Sequence, residues 1–143
     1  WGHNSLPFAT ETEQPGRTCY CGKNGCIETF ISGPGLSADH LEVTGAQLKA
    51  WEIYELAQQG DADAHATLER HSERVAKSLA SIINVLDPDV VVLGGGVSQM
   101  AHLYTDVPAK WGKYVYSDTV KTRLLENRHG PSGGVRGAAW LWK

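Results

Sequence analysis

Three cysteines lie within eight consecutive positions near the start of this chain, in the run CYCGKNGC. An odd number of cysteines cannot close into a disulfide framework, and Cys19 and Cys21 are too close in sequence to bridge without strain. Clustered thiols in a reducing compartment favour a metal site instead, and zinc takes four such ligands tetrahedrally. Gly22 and Gly25 allow the tight, positive-φ turns that bring the sulfurs together. The run predicts a zinc-binding loop that includes Cys26, with reactive or redox-active thiols as the alternative.

The fourth ligand has to come from elsewhere in the chain, which contains six histidines. His65 and His71 fall in a strongly helical pattern and His102 precedes another helix, so we expect these side chains on solvated helix faces. His3 lies in a non-periodic segment with glycine and proline, which can fold back over the cysteines. We therefore expect His3 to complete the metal site.

The middle of the chain combines a long amphipathic helix with a short apolar strand. Apolar residues recur at helical spacing from Ala62 to Leu86, and Asp87-Pro88 ends the pattern because proline disfavours a helical conformation in the residue before it. The run DVVVL at residues 89–93 has no alternation, which is typical of a strand covered on both faces of a parallel sheet. This pattern assigns the chain to the α/β class.

Three consecutive glycines, Gly94, Gly95 and Gly96, follow this strand at its carboxyl end. Ligands of open α/β sheets bind at the carboxyl ends of strands, and glycine lets a ligand approach the backbone closely. A glycine run without the lysine of a P-loop is weak evidence by itself. Two interpretations of the run therefore stay possible: contact with a nucleotide, or a plain strand-to-helix turn. We expect the Ser98 hydroxyl to cap the helix that follows.

Shorter elements are predicted on both sides of this centre from periodicity and from glycine and proline positions. The predicted helices span 27–31, 47–59, 99–114 and 135–142, a second strand spans 119–126, and loops span 1–18 and 130–134. The run SGPG at 32–35 is expected to end the first helix.

The composition excludes several classes of protein. A hydrophobic content of 41% with 20% charged residues is typical of a folded domain, and 143 residues suffice for one. The net charge of −3 provides no basic field for nucleic acid or an anionic membrane, and no apolar run is long enough to cross a bilayer. We expect a cytoplasmic protein with neither partner. The abrupt start at Trp1 suggests a fragment that lacks an upstream part.

Glu28 follows the last cysteine by two positions and is a candidate ligand-binding residue. A carboxylate anchored beside a metal loop is held rigidly and can accept hydrogen bonds from two adjacent sugar hydroxyls. The alternative is that Glu28, as an acidic residue at the start of a helix, only interacts favourably with the helix dipole. No Ser/His/Asp set or carboxylate pair stands out, so we assign no catalytic residue in this chain.

The order of these motifs resembles the ROK family of sugar kinases and repressors. The resemblance is carried by Gly2-His3, CYCGKNGCIE, LDPDVVVLGGGVS and GVRGAAWL, and it covers nearly the whole chain as the carboxyl-terminal half of such a protein. The insert between His3 and Cys19 and the WGHN start look most similar to bacterial fructokinases with mannose side activity.

The resemblance implies that residues 1–143 form one lobe of a two-lobed, actin-like (ribonuclease H-like) ATPase fold, with a zinc knuckle at residues 3–28. It implies three sets of contacts: structural zinc with His3, Cys19, Cys21 and Cys26; a hexose with His3 and Glu28; and the adenosine part of ATP with Gly94, Gly95 and Gly96. It also implies that the helix at 135–142 packs on the amino-terminal lobe, that Mg²⁺ accompanies ATP, and that the protein forms a homodimer.

Three parts of the family's apparatus precede the position of Trp1: a sugar-binding glutamate, the catalytic aspartate and the first glycine-rich phosphate loop. The resemblance therefore implies an ATP-dependent sugar kinase, closest to a fructokinase, for the full-length protein. It implies no phosphoryl transfer by this chain alone. The alternatives are the sugar-sensing lobe of a ROK-family transcriptional repressor, which a winged helix-turn-helix upstream would indicate, and a zinc module without a ligand.

Overall fold

The computed structural model describes residues 1–142 as a set of helices around one short parallel sheet. In chain order the elements are α1 (Glu28–Ile31), α2 (Gly33–Thr44), α3 (Ala50–Gln58), α4 (Ala62–Leu86), β1 (Val90–Leu93), α5 (Leu103–Trp111), β2 (Arg123–Glu126) and α6 (Gly133–Trp140). Two 3-10 segments, Glu11–Glu13 and Gly96–Gln99, complete the regular structure. The α/β class predicted from the sequence is confirmed.

Helix α4 forms the centre of the core and has the predicted bounds. Its buried apolar side chains, among them Leu68, Leu79 and Ile83, pack against α2, α3 and α5. The Asp61 carboxylate caps its first turn by accepting the Ala64 N–H at 2.8 Å. Periodicity and both end signals agree in this segment, which explains why the sequence was sufficient to locate it.

The sheet contains two strands within residues 1–142, and it leaves β1 more open than predicted. Strands β1 and β2 pair in parallel, from Val90 opposite Arg123 to Leu93 opposite Glu126. The side chain of Val92 is 56% exposed, so the prediction of a strand covered on both faces is wrong for the described residues. The strand has the composition of a buried strand, but nothing between residues 1 and 142 covers that face.

Helix α2 is absent from the sequence prediction, which treated SGPG as a stop. The Ser32 hydroxyl instead caps a new helix by accepting the Gly35 N–H at 3.1 Å, and Pro34 lies in the first turn, where no N–H is needed. A Cβ at Gly35 would lie 2.6 Å from the Thr29 carbonyl oxygen, so glycine permits the sharp change of direction between α1 and α2.

Smaller differences concern the ends of the other elements. Helix α5 is shorter than the predicted 99–114 because a 3-10 segment and a turn precede it, and β2 occupies only the last half of the predicted 119–126. Helix α6 begins and ends two residues earlier than predicted.

A buried network of ion pairs attaches the loop before the cysteines to α4. The Glu13 carboxylate accepts hydrogen bonds from Arg74 Nε and Lys77 Nζ, both at 2.8 Å. Arg74 also donates to Asp39 on α2. Since a buried charge is tolerated only when it is paired, these contacts fix the loop, α2 and α4 relative to one another.

The charge on Glu13 depends on this network. Burial by itself raises the pKa of Glu13, but the hydrogen bonds from Lys77 and Arg74 outweigh it and lower the pKa to about 2. The unfolded chain therefore binds a proton at Glu13 more readily than the folded chain does. The stabilisation is complete above the ordinary carboxyl pKa and is lost as pH falls towards about 2.

We predict that Glu13→Gln lowers the free energy of unfolding by about 2–3 kcal/mol at neutral pH, because the variant leaves the buried Lys77 without its carboxylate and Arg74 with Asp39 alone. In urea unfolding followed by circular dichroism, the difference from wild type should shrink only as pH falls below the ordinary carboxyl pKa of 4.5 towards about 2. Glu11→Gln, at an exposed neighbouring site, is the control and should behave as wild type. A Glu13→Gln difference that does not depend on pH would contradict this assignment.

Candidate functional site

Main-chain hydrogen bonds hold the first residues of the chain alongside the end of the cysteine loop. The Ile27 N–H donates to the Asn4 carbonyl, and the Glu28 N–H donates to the Gly2 carbonyl, each at 2.9 Å. His3 is thereby brought beside the cysteines although many residues separate them in sequence. The prediction that the non-periodic first segment folds back over the loop is confirmed.

The cysteine loop is a tight turn closed by its own backbone. The Cys19 N–H donates to the Lys23 carbonyl at 2.8 Å, and the Gly22 N–H donates to the Cys19 carbonyl at 2.9 Å. Gly22 and Gly25 have φ values of +85° and +70°, as predicted. A Cβ at Gly25 would lie 2.9 Å from the Pro15 carbonyl oxygen, so close packing also favours glycine there.

The four predicted metal ligands come together in this loop. One ligand atom from each of His3, Cys19, Cys21 and Cys26 lies within 4.8 Å of all the others. Cys19 Sγ is 3.5 Å from His3 Nδ1, and Cys21 Sγ is 3.6 Å from Cys26 Sγ. Two thiolates bound to one tetrahedral zinc ion lie about 3.8 Å apart, since each Zn–S bond is about 2.3 Å. The donor set and its spacing therefore fit a zinc ion.

The thiols of this cluster differ in their affinity for protons. The Lys23 main-chain N–H stabilises the thiolate of the exposed Cys21 and lowers its pKa. Burial raises the pKa of Cys26, which has almost no accessible surface. Because a metal ion requires deprotonated thiols, a cation at this position would favour the thiolate form of both residues.

The other face of His3 is turned towards a carboxylate and a phenol. His3 Nε2 lies 3.5 Å from Glu28 Oε2 and 2.9 Å from Tyr20 Oη. The side chains of His3 and Glu28 are 41% and 43% exposed, so both are accessible to a ligand. The resemblance implied that His3 and Glu28 lie together, but Tyr20 was not expected there, since no sequence signal indicates where a side chain between two cysteines points.

The triple-glycine turn lies open at the carboxyl end of β1. Among residues 1–142, no atom apart from those of the adjacent residues lies within 4 Å of a Cβ built on Gly94, Gly95 or Gly96, and Gly95 has a φ of +85°. The expected role of Ser98 as a helix cap is wrong, because its hydroxyl donates to the Gly95 carbonyl at 2.6 Å and thus lies inside the turn.

A groove of about 380 Å³ lies beside the triple-glycine turn. Its lining includes Trp1 and Ile31, which are close in sequence to His3 and Glu28, and it includes Gly94. The start of α2 also approaches the turn, since a Cβ at Gly33 would lie 3.6 Å from Val97 Cγ2. The groove therefore runs from the turn to chain segments that flank His3 and Glu28, although its lining does not include these two residues. Within residues 1–142, no helix is both long and apolar enough to cross a membrane.

Comparisons with known proteins identify relatives over nearly the whole chain. A family model described as "ROK family" matches residues 1–143. The N-acetyl-D-glucosamine kinase of Photobacterium profundum is 39% identical over 144 residues, which cover 98% of this chain and 48% of that protein. The corresponding kinase of Salmonella typhi is 37% identical, again with 48% of its length covered. The chain spans about half the length of these relatives.

Solved structures share the fold. A ROK hexokinase from Thermus thermophilus superposes with a TM-score of 0.78 at 30% identity, covering 96% of this chain and 45% of that one. A ROK family glucokinase from Streptomyces griseus, solved in complex with glucose and AMPPNP, gives a TM-score of 0.80 at 23% identity, covering 97% and 50%. The fold is thus that of ROK sugar kinases. These relatives are N-acetyl-D-glucosamine kinases and hexokinases, so they do not support a specific likeness to fructokinases.

We predict that the protein binds one zinc ion per chain and that Cys21→Ser loses it, because one ligand of the four is removed. Cys21 is exposed, so the substitution opens no cavity in the core. Zinc per chain, measured by elemental analysis after desalting, should fall from about one to near zero. Lys23→Ala keeps the backbone of the same loop and should retain the metal. Full zinc content in Cys21→Ser, or none in wild type, would contradict the assignment.

Proposed function

Because the chain belongs to the ROK family, we propose that it is the carboxyl-terminal lobe of a two-lobed, ATP-dependent hexose kinase. The observation that carries the proposal is the approach of His3 and Glu28, 3.5 Å apart and both accessible. Relatives that are sugar kinases, of which the chain covers about half, support it.

The proposed metal has a structural role. His3 Nδ1 and the three thiols of Cys19, Cys21 and Cys26 would hold a zinc ion, and four protein ligands leave no open position for water. Zinc therefore supplies no Lewis-acid chemistry and only stiffens the loop. With Nδ1 turned to the cysteines, Nε2 carries the proton on the outer face of the ring, where it can donate.

His3 and Glu28 would bind the hexose. The Glu28 carboxylate can accept hydrogen bonds from two neighbouring sugar hydroxyls, and His3 Nε2–H can donate to a third sugar oxygen in place of Tyr20 Oη. The main-chain bond from Glu28 to Gly2 holds the two side chains in a fixed relation. Such positioning of the attacking hydroxyl is a large part of what a protein contributes to phosphoryl transfer.

The triple-glycine turn would contact the adenosine part of ATP. Gly94, Gly95 and Gly96 carry no side chain and have open space around their Cβ positions, so a nucleotide can approach their backbone. Mg²⁺ would accompany ATP and neutralise phosphate charge. In this proposal the catalytic aspartate precedes Trp1, so residues 1–143 alone are expected to be inactive.

The preferred sugar is a separate question. The sequence resemblance favours fructose, whereas the relatives reported above act on N-acetyl-D-glucosamine according to their names. We propose a hexose as the substrate class and N-acetyl-D-glucosamine as the first sugar to test, with fructose, mannose and glucose as its competitors.

Helix α6 fits the proposed two-lobed arrangement. None of its residues is buried, and Val135 is 74% exposed. An exposed apolar helix at the end of the chain supports the expectation that it packs on the amino-terminal lobe. Homodimerisation and a cytoplasmic location stay predictions.

We predict that the full-length protein releases ADP from Mg-ATP when one of these four hexoses is present, in a coupled assay, and that residues 1–143 alone do not. Turnover identifies the substrate directly. Sugar binding without turnover by a folded, zinc-loaded full-length protein would contradict the kinase proposal and favour the repressor alternative. If the protein neither binds a sugar nor releases ADP, only the alternative of a zinc module without a ligand is left.

We also predict that Glu28→Gln raises the KM for the hexose at least about tenfold, because an amide cannot accept two hydrogen bonds as strongly as a carboxylate. The KM for ATP and the zinc content should stay at wild-type values, and so should all three quantities in the control Glu11→Gln. If Glu28→Gln loses zinc or unfolds, Glu28 is structural and the assignment fails.

A further inference from the structure

The triple-glycine turn is not held in shape by packing of its own residues. In the described part of the chain, only the adjacent residues lie within 4 Å of Cβ positions built on Gly94, Gly95 and Gly96. Glycine also has the largest conformational freedom to lose, so an open run of three glycines would sample many backbone states. Its conformation has to come from contacts made to the backbone of the turn.

Ser98 supplies the first of these contacts from inside the turn. It is 2% exposed, and its hydroxyl and its main-chain N–H reach the Gly95 carbonyl at 2.6 Å and 3.2 Å. The Ser98 carbonyl in turn accepts the Tyr104 hydroxyl at 2.7 Å. Ser98 is therefore fixed at both ends and holds Gly95 in its positive-φ conformation.

Asn127 supplies the second contact from the neighbouring strand. It follows β2 directly, and the last residues of the two strands, Leu93 and Glu126, are paired. Asn127 Nδ2 donates to the Leu93 carbonyl and to Ser98 Oγ, both at 3.1 Å. One side chain thus clamps the residue before the glycines to the residue that closes the turn.

The direction of these hydrogen bonds requires an amide at position 127. The Leu93 carbonyl can only accept, and Ser98 Oγ already donates to Gly95, so position 127 must donate to both atoms; Gln99 Nε2 also points at Ser98 Oγ but lies farther away, at 3.5 Å. Asn127 Oδ1 is buried and has no hydrogen-bond partner within residues 1–142. An amide with an unsatisfied buried acceptor adds little to stability. A role in shaping the turn therefore accounts for Asn127 better than a role in holding the fold.

We propose that Asn127 is a positioning residue of the nucleotide site: through Leu93 and Ser98 it holds the triple-glycine turn in the open shape that receives a nucleotide. The inference rests on the function proposed above, because it assigns the turn to ATP. Asn127 acts through other residues and does not itself touch the nucleotide.

Asn127→Asp is the sharpest test, since aspartate has the same shape but no N–H donors when ionised. The carboxylate would repel the Leu93 carbonyl and draw the Ser98 hydroxyl away from Gly95. Amide hydrogen exchange of a peptide covering residues 94–98 should become about tenfold faster in the full-length protein without ligands. Exchange within α4 should not change. If residues 94–98 of Asn127→Asp exchange at the same rate as in wild type, the inference is overturned.

Nucleotide binding is the second readout. The Kd of Mg-AMPPNP, measured by calorimetry on the full-length protein, should rise about tenfold in Asn127→Asp, while the Kd of the hexose stays at the wild-type value. Ser98→Ala removes the link between Asn127 and Gly95 and should act in the same direction, which covers the case in which Asn127→Asp does not fold.

Asn84→Asp is the matched control. Asn84 also donates Nδ2 to a main-chain carbonyl, that of Tyr114, at 2.9 Å, and it accepts the Tyr116 N–H. These contacts lie away from the turn, so both Kd values should be unchanged. Faster exchange with an unchanged Kd for AMPPNP in Asn127→Asp would also overturn the inference. Wild-type protein that binds no AMPPNP would contradict the proposed function instead, and the exchange data would still decide whether Asn127 shapes the turn.

Discussion

The pairing of Glu13 with Arg74 and Lys77 inside the protein is the interaction on which the site depends. It fixes the loop before the cysteines to the central helix at a distance of 2.8 Å for each bond. Arg74 also lies over the ring of Phe30, 5.3 Å from its centroid, and Arg17 lies 5.4 Å from the same centroid. Phe30 belongs to the short helix that begins with Glu28. The network therefore contacts the segment before the cysteine loop and helix α1, and an unpaired charge in it would disturb both.

This support lets a small loop with little core of its own present side chains at defined positions. Cys19 and Cys26 are buried, while His3, Tyr20 and Glu28 are turned towards the surface. A metal at the cluster would add rigidity to a loop that is already placed by ion pairs and main-chain bonds. The triple-glycine turn is also placed by contacts from other residues. In its case, hydrogen bonds to the backbone replace the packing that glycine cannot provide.

The elements that the sequence predicted well are those in which several local signals agree. Helix α4 combines periodicity, a capping aspartate and a following proline, and the cysteine cluster combines ligand chemistry with the glycines that allow its turns. Helix α2 was missed because Gly33 and Pro34 resemble a stop signal, although proline suits the first turn of a helix. The sequence pattern places Arg74 and Lys77 on the polar face of α4. Their burial follows from the contact with Glu13, which is far away in sequence.

Other features depend on contacts that no local pattern encodes. Ser98 is at a position typical of a helix cap, but its hydroxyl donates to the Gly95 carbonyl. Asn127 reaches Ser98 only because β2 pairs with β1. The open face of β1 likewise depends on what packs against the sheet. The sequence therefore located the Cys/His cluster, the His3–Glu28 pair and the glycine turn, whereas the residues that hold them in place required the structure.

The most direct test of the central claim is a crystal structure of the full-length protein with a hexose and Mg-AMPPNP bound. We expect sugar hydroxyls within hydrogen-bond distance of His3 Nε2 and the Glu28 carboxylate, and the adenosine against Gly94, Gly95 and Gly96. A sugar bound elsewhere, with His3 and Glu28 free of contact to it, would contradict the claim that this lobe binds and positions the substrate.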